Sequence, residues 1–273
     1  VVQTVLFICV VCIPLWRTGR MSYVDIAWPF GVALIGMQVL FFAEEYTLHT
    51  VLVGVIYLFI GLRMGMGALT IARATGVIYK KEFPRYAYRR LMLEKHGSKR
   101  VEMHMQVDVI LQGLANISVL VMPALLIMHS PSAGLSVVEI IGFSLWGVAF
   151  LIESVADAQK LAFIKKQPRE VCNVGLWRYS RHPNYFAEWL VWTGLAIAAV
   201  PTWLVLQGQE STLIWALCGL SLVGASAMMY TTLVYLTGAK PAEYFSVQKR
   251  RGYAEYQKTT NIFFPGLPKK SDL

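Results

Sequence analysis

An all-α fold, a polytopic bundle of about seven membrane-spanning helices, follows from three features of the sequence. Of its 273 residues, 56% are hydrophobic. Only 15% are charged, against roughly 25% in a soluble domain, and the mean hydropathy is +0.52. A soluble globule of this length has nowhere to bury such a surplus of apolar side chains. The third feature is charge segregation. Of 25 lysines and arginines, all but Arg63 fall within residues 17–20, 73–100, 160–181 and 238–273.

A spanning helix needs about 20 mainly apolar residues. Seven stretches qualify or come near it, taken in order as 1–16, 21–43, 50–74, 105–129, 136–160, 185–207 and 211–237. The first is short and ends at Trp16-Arg17-Thr18-Gly19-Arg20, a helix end at a basic interface. No small-residue cleavage site follows it, so it is read as a span and not as a signal segment. The chain opens on Val1, so its start is expected to be processed, truncated or incomplete. The links after the second, fourth and sixth stretches, 44–49, 129–134 and 208–210, contain no lysine or arginine. The other links hold the positive charge, which places them on the cytoplasmic or matrix face. The N-terminus is then expected outside and the C-terminus inside, and an odd number of spans satisfies every link at once. The membrane itself (bacterial inner membrane, endoplasmic reticulum or mitochondrial inner membrane) is left open by this pattern. One membrane domain is expected over 1–273, with N-terminal helices and a basic inner loop in 1–104 and C-terminal helices and a basic tail in 105–273.

The net charge of +9 suits this topology and an anionic lipid surface. It also suits a funnel for an anionic cofactor. Nucleic acid is not an expected partner, because the charge follows topology and not a groove. The four cysteines, Cys9, Cys12, Cys172 and Cys218, read as small apolar packing residues and not as a disulfide or metal framework. Gly61 and Gly65 have the small-xxx-small spacing of closely packed membrane helices.

Ionisable groups inside spans are costly and are functional or paired. Asp25, Arg63, Asp108, Glu153, Asp157 and Glu188 belong to this class. Asp108 reads as snorkelling or pairing locally. Glu153 and Asp157 stand four residues apart and so share one helical face. The most informative segment follows them: Gly175-Leu-Trp177-Arg178-Tyr179-Ser180-Arg181-His182-Pro183-Asn184-Tyr185-Phe-Ala-Glu188-Trp189. Pro183 suits the first turn of a helix. Its N-terminal amides, with Arg178 and Arg181, make a site suited to phosphate. An interfacial anchor explains Trp177 and Tyr179. It does not explain His182, Asn184 and Glu188.

This segment, preceded by Glu153-Ser-Val-Ala-Asp157-Ala-Gln159, resembles the DUF1295 branch of the steroid 5-alpha-reductase-like superfamily. Weaker matches lie at Ser22-Tyr-Val-Asp25-Ile-Ala-Trp28, Gly61-Leu-Arg63, Glu82-Phe-Pro-Arg85-Tyr86 and Arg251-Gly-Tyr253-Ala-Glu-Tyr256. The resemblance implies a membrane enzyme that binds NADPH in a cytosol-facing cavity of its C-terminal helices and reduces an activated carbon–carbon double bond in a steroid, isoprenoid or enoyl lipid. It implies cofactor contacts at Arg63, Arg85, Tyr86, Glu153, Asp157, Arg178, Arg181, His182, Asn184, Tyr185 and Tyr256. Tyr23, Asp25, Tyr57 and Glu188 are the candidate catalytic groups for polarising the substrate carbonyl or supplying the proton. The chain carries Gly67, Phe83 and Pro29 where that branch often has histidine, aspartate and glycine. Two alternatives follow: a non-catalytic subunit of a larger membrane complex that keeps the fold, and an S-adenosylmethionine-dependent membrane methyltransferase, since such enzymes share the arginine-histidine-proline turn.

Overall fold

The computed structural model describes residues 1–76 and 80–269. Among them the chain is helical, with twelve helices: α1 (Val2–Thr18), α2 (Val24–Phe41), α3 (Leu48–Thr75), α4 (Pro84–Lys95), α5 (Val101–Ile117), α6 (Val121–Met128), α7 (Val137–Lys166), α8 (Pro183–Ala198), α9 (Val200–Val205), α10 (Thr212–Thr231), α11 (Ala239–Lys249) and α12 (Tyr253–Thr259). Six segments are long and apolar enough to cross a membrane: Val24–Phe41, Leu48–Arg73, Val101–Met128, Val137–Lys166, Pro183–Val205 and Thr212–Lys249. The seventh expected span is the shorter apolar helix α1. Large apolar side chains point outward along these helices, among them Ile141, Val148, Leu151 and Val155 on α7 and Leu217, Leu220 and Val223 on α10. Such a surface suits lipid and not water.

Helix ends follow local chemistry. Gly19 and Gly76, with φ of 69° and 68°, end α1 and α3 in the left-handed conformation that glycine adopts without strain. Thr47 caps α3 by accepting from the Thr50 amide. Ser136 and Glu139 form a reciprocal capping box at the start of α7: the Ser136 amide donates to Glu139 Oε2 (2.7 Å), and the Glu139 amide donates to Ser136 Oγ (3.3 Å). Pro84 and Pro183 open α4 and α8, where a missing amide hydrogen costs nothing.

The chain forms two compact units. One comprises 1–140 and 196–225, the other 141–195 and 226–273. The sequence-based division after residue 104 falls inside the first of these.

In the first unit α2 and α3 approach at backbone distance. A Cβ on Gly61 would stand 2.3 Å from the Ala33 amide nitrogen, and one on Gly36 would stand 2.5 Å from the Gly54 carbonyl oxygen. The small-residue spacing is therefore a packing device. The fourth span is broken between α5 and α6, and Tyr57 donates to the Leu120 carbonyl at 2.7 Å, repairing part of the break. Asn116 donates to the Trp28 carbonyl at 3.2 Å, in space left by Gly31. Glu139 lies within a stated span yet escaped the sequence reading. Its Oε1 sits 2.9 Å from His49 Nε2, both side chains sealed from solvent.

Candidate functional site

The sequence-selected polar residues gather in two places, one in each unit. In the first unit, α4 is pinned at its first turn. Arg85 pairs with Asp25, and the Tyr86 hydroxyl donates to Asp25 Oδ1 at 2.6 Å. Burial, with the Asp25 charge beside it, pushes the Tyr86 phenol well above its ordinary value, so it stays protonated and donates. Glu82 accepts from the Met21 amide (2.7 Å), the Ser22 amide (3.0 Å) and the Ser22 hydroxyl, tying the basic link to the start of α2. Further along α4, Arg89 grips Asp108 with two bonds, 2.7 and 3.1 Å. Tyr23 lies apart from Asp25's partners: its hydroxyl accepts from Arg20 at 3.0 Å. Tyr57 is engaged at Leu120, and Arg63 is half-buried on α3.

In the second unit the turn before α8 is fastened to α7 and to the tail. Leu176 donates its amide to Gln159 Oε1 at 2.9 Å, and the Trp177 indole donates to the Ala156 carbonyl at 2.9 Å. Gly175 has φ +55°, which favours glycine, and a Cβ there would stand 2.5 Å from Gln159 Oε1, so the Gln159 side chain would have to shift. Lys160 Nζ lies 4.1 Å above the Trp177 ring. Tyr256 of α12 donates to the Trp177 carbonyl and approaches the Ser180 carbonyl at 3.3 Å. Ser180 Oγ donates to the Phe263 carbonyl at 2.8 Å. Burial pushes the Tyr253 and Tyr256 phenols up, so both remain neutral.

The centre of this fastening is Glu243 of α11, which the sequence reading did not select. Its carboxylate accepts from Arg181 Nε (2.7 Å) and Nη2 (3.0 Å), His182 Nε2 (3.0 Å) and Gln257 Nε2 (2.7 Å). Arg181 spends its remaining reach on the Gln257 carbonyl at 2.9 Å and the Thr260 carbonyl. Arg181, His182 and Glu243 are all buried. Burial pushes the His182 imidazole below its ordinary value against the pull of Glu243. The neutral ring donates from Nε2 and stacks on Tyr185, centroids 5.2 Å apart and 5° from parallel. No periodicity marks Glu243. It is one of three acids in the basic tail, and only the return of α11 and the tail to the α8 turn reveals its partners.

The remaining motif residues lie along α7, the turn and α8. Asn184 Nδ2, at the start of α8, donates to Asp157 Oδ1 of α7 at 3.2 Å. Asn184 Oδ1 is buried without a hydrogen-bond partner among the described residues. Asp157 is exposed, Glu153 is buried one turn before it, and Tyr185 and Glu188 are half-buried on α8. Arg178 is exposed at the end of the turn. Lys160 and Arg250 are charged neighbours in the same unit. No group of three or more histidine, cysteine, aspartate or glutamate side chains among the described residues is arranged to hold a metal ion.

Of the comparisons with known proteins, the family model alone returns a match. No curated protein and no solved structure matches the chain. The model of the family described as "Protein of unknown function (DUF1295)" matches residues 13–260. With nearly its whole length covered, the chain belongs to the DUF1295 family.

Proposed function

We propose that this multi-pass membrane protein is an NADPH-dependent reductase of an activated carbon–carbon double bond in a lipid. The observation that carries the reading is the Asn184–Asp157 pair. A buried amide oxygen without a donor costs about 1–3 kcal/mol. It sits beside the exposed Asp157 carboxylate, which accepts from Asn184 Nδ2. Adjacent acceptors of this kind suit the hydroxyls of a ribose or the amide hydrogens of a nicotinamide carboxamide. Lys160, Arg178 and Arg250 supply positive charge for the phosphates. These acceptors and cations support NADPH as the cofactor.

Bound there, the cofactor supplies a hydride. The chain's own residues do the rest. Asn184 and Asp157 orient the ribose, and the Tyr185 ring, held against His182, walls the site. Glu188 stands four residues after Asn184, on the same face of α8. It is the carboxyl that would hold the proton for the reduced substrate. The bilayer brings the apolar substrate and keeps water out. The basic links face the compartment that provides the cofactor.

The test is a thermal-stability titration of the protein in mild detergent with NADPH, NADP and S-adenosylmethionine in turn. NADPH at a hundredfold excess over its dissociation constant stabilises by about 2.7 kcal/mol. Asn184→Ala and Asp157→Asn abolish that shift with the unliganded stability kept. No response to any of the three overturns the enzyme reading for this chain and leaves the non-catalytic subunit. A response to S-adenosylmethionine alone selects the methyltransferase.

A further inference from the structure

The end of α1 meets α4 and the start of α5, and the reductase reading leaves this surface unused. α1 and α5 run antiparallel in contact. Phe7 lies against Gly113, where a Cβ would stand 3.1 Å from its ring, and Gln106 Nε2 donates to the Cys12 carbonyl at 2.9 Å. At the basic end of this seam Arg90 of α4 joins the two helices. Its Nη2 donates to the Gly19 carbonyl at 2.6 Å, and its Nη1 donates to Glu102 Oε1 at 3.0 Å.

Positive charge is in excess at this corner. Arg17 is exposed on the last turn of α1. Arg20 follows the left-handed Gly19, and its Nη2 donates to the Tyr23 hydroxyl at 3.0 Å. No acid precedes Asp25 in the chain, and Asp25 is spent on Arg85 and Tyr86. Glu82 is spent on Met21 and Ser22. The carboxyl end of the α1 dipole offsets about half a unit of charge, against the two arginines at that helix end. A basic topology signal requires only that the links be basic. It does not require arginines from two separate links to meet around one helix end.

The flanks of the corner are apolar. Trp16, 78% exposed, stands beside Arg17 and one turn after the exposed Ile13. On α5 the exposed Met103 and Val107 stand one turn apart. An indole at such a position buries its body among acyl chains and offers its N–H to the polar layer.

We propose that this corner binds the phosphodiester headgroup of an anionic phospholipid, with Arg17 and Arg20 on the phosphate oxygens beside Arg90 and the acyl chains along the exposed apolar side chains of α1 and α5. The planar guanidinium matches a phosphate with two parallel bonds, and basic sites between membrane helices hold such headgroups. The site is independent of the reductase reading.

The probe is dioleoylphosphatidylglycerol, titrated by thermal shift against the delipidated full chain in mild detergent. Dioleoylphosphatidylcholine and inorganic phosphate are its controls. Phosphatidylglycerol stabilises the protein, and neither control does. The double variant Arg17→Gln with Arg20→Gln weakens the apparent affinity about thirtyfold, from roughly 1 kcal/mol for each arginine at an anionic lipid. The pair Lys165→Gln with Arg169→Gln removes the same charge from exposed positions of another basic link and leaves the affinity unchanged. If the double variant does not fold, Arg17→Gln alone, at an exposed position, carries the test with a loss of about fivefold. Equal stabilisation by phosphatidylcholine, or an affinity that survives the arginine substitutions, overturns the proposal. Equal stabilisation by inorganic phosphate overturns it in favour of a free-anion site. An equal loss in the Lys165 and Arg169 pair overturns it in favour of diffuse surface charge.

Discussion

The two units each hold an arginine–carboxylate cluster that ties one stretch of chain to another about sixty positions away, and they do so under different conditions. Arg85 and Asp25 are 31% and 11% exposed, whereas Arg181 and Glu243 are 9% and 6% exposed. In the first unit the pairs fasten α4, a surface helix of the basic link, and neighbouring pairs such as Arg90–Glu102 are half open to solvent. Ion pairs in that setting are worth about 0–1 kcal/mol. In the second unit the carboxylate is out of water and saturated by four bonds. Such a network adds little over an apolar core, yet it is expensive to break. Similar residues at similar spacing thus serve as a surface fastener in one place and as an obligatory joint in the other.

Breaking the joint gives the largest effect. Glu243→Gln leaves the buried Arg181 guanidinium without its counter-charge and is expected to cost about 3–5 kcal/mol in denaturant unfolding in detergent. Replacing Arg181 and Glu243 together by apolar residues recovers much of that loss. A cost below 1 kcal/mol for Glu243→Gln would put the two clusters in the same class.

The next effect lies in the first unit. Asp25→Ala removes the acceptor of the buried Tyr86 hydroxyl as well as the partner of Arg85. Most of its expected cost of about 1–3 kcal/mol comes from the stranded phenol. The double variant Asp25→Ala with Tyr86→Phe is therefore milder than Asp25→Ala alone. If the double variant is the worse of the two, the ion pair carries more than its exposure allows.

The smallest effect is a pH dependence confined to the second unit. His182 has a depressed value in the folded state, so the unfolded chain takes up a proton that the folded chain resists. The contribution is intact above the ordinary imidazole value of about 6.5. It is lost as pH falls through that range and levels off only below the depressed folded value. His182→Gln flattens the stability profile between pH 7 and pH 5, and an unchanged profile would remove His182 from the account.

Parts of both clusters were legible. Asp25, Arg85 and Tyr86 stand out because a charge in or beside an apolar stretch is conspicuous. Arg181, His182 and Asn184 stand out as a dense polar turn ahead of a span. What Arg181 does was not legible. A guanidinium near a helix N-terminus reads as a phosphate ligand, yet its donors here meet Glu243 and two tail carbonyls. Asn184 Oδ1 has no hydrogen-bond partner among the described residues, while His182, two residues earlier, is buried with its Nε2 on Glu243. No local pattern separates these two neighbours.

The sequence by itself determined that the chain is an all-α membrane bundle, where its apolar helices run and which links hold the positive charge. Those properties depend on composition and on segment length against the thickness of a bilayer, and both can be counted along the chain. Tertiary structure alone decided that Tyr57 repairs a helix break, that Glu139 meets His49, and that the tail returns to seal the α8 turn through Glu243. Each of those is a pairing between distant positions. A buried polar group must find a partner, and which one it finds depends on how the helices pack.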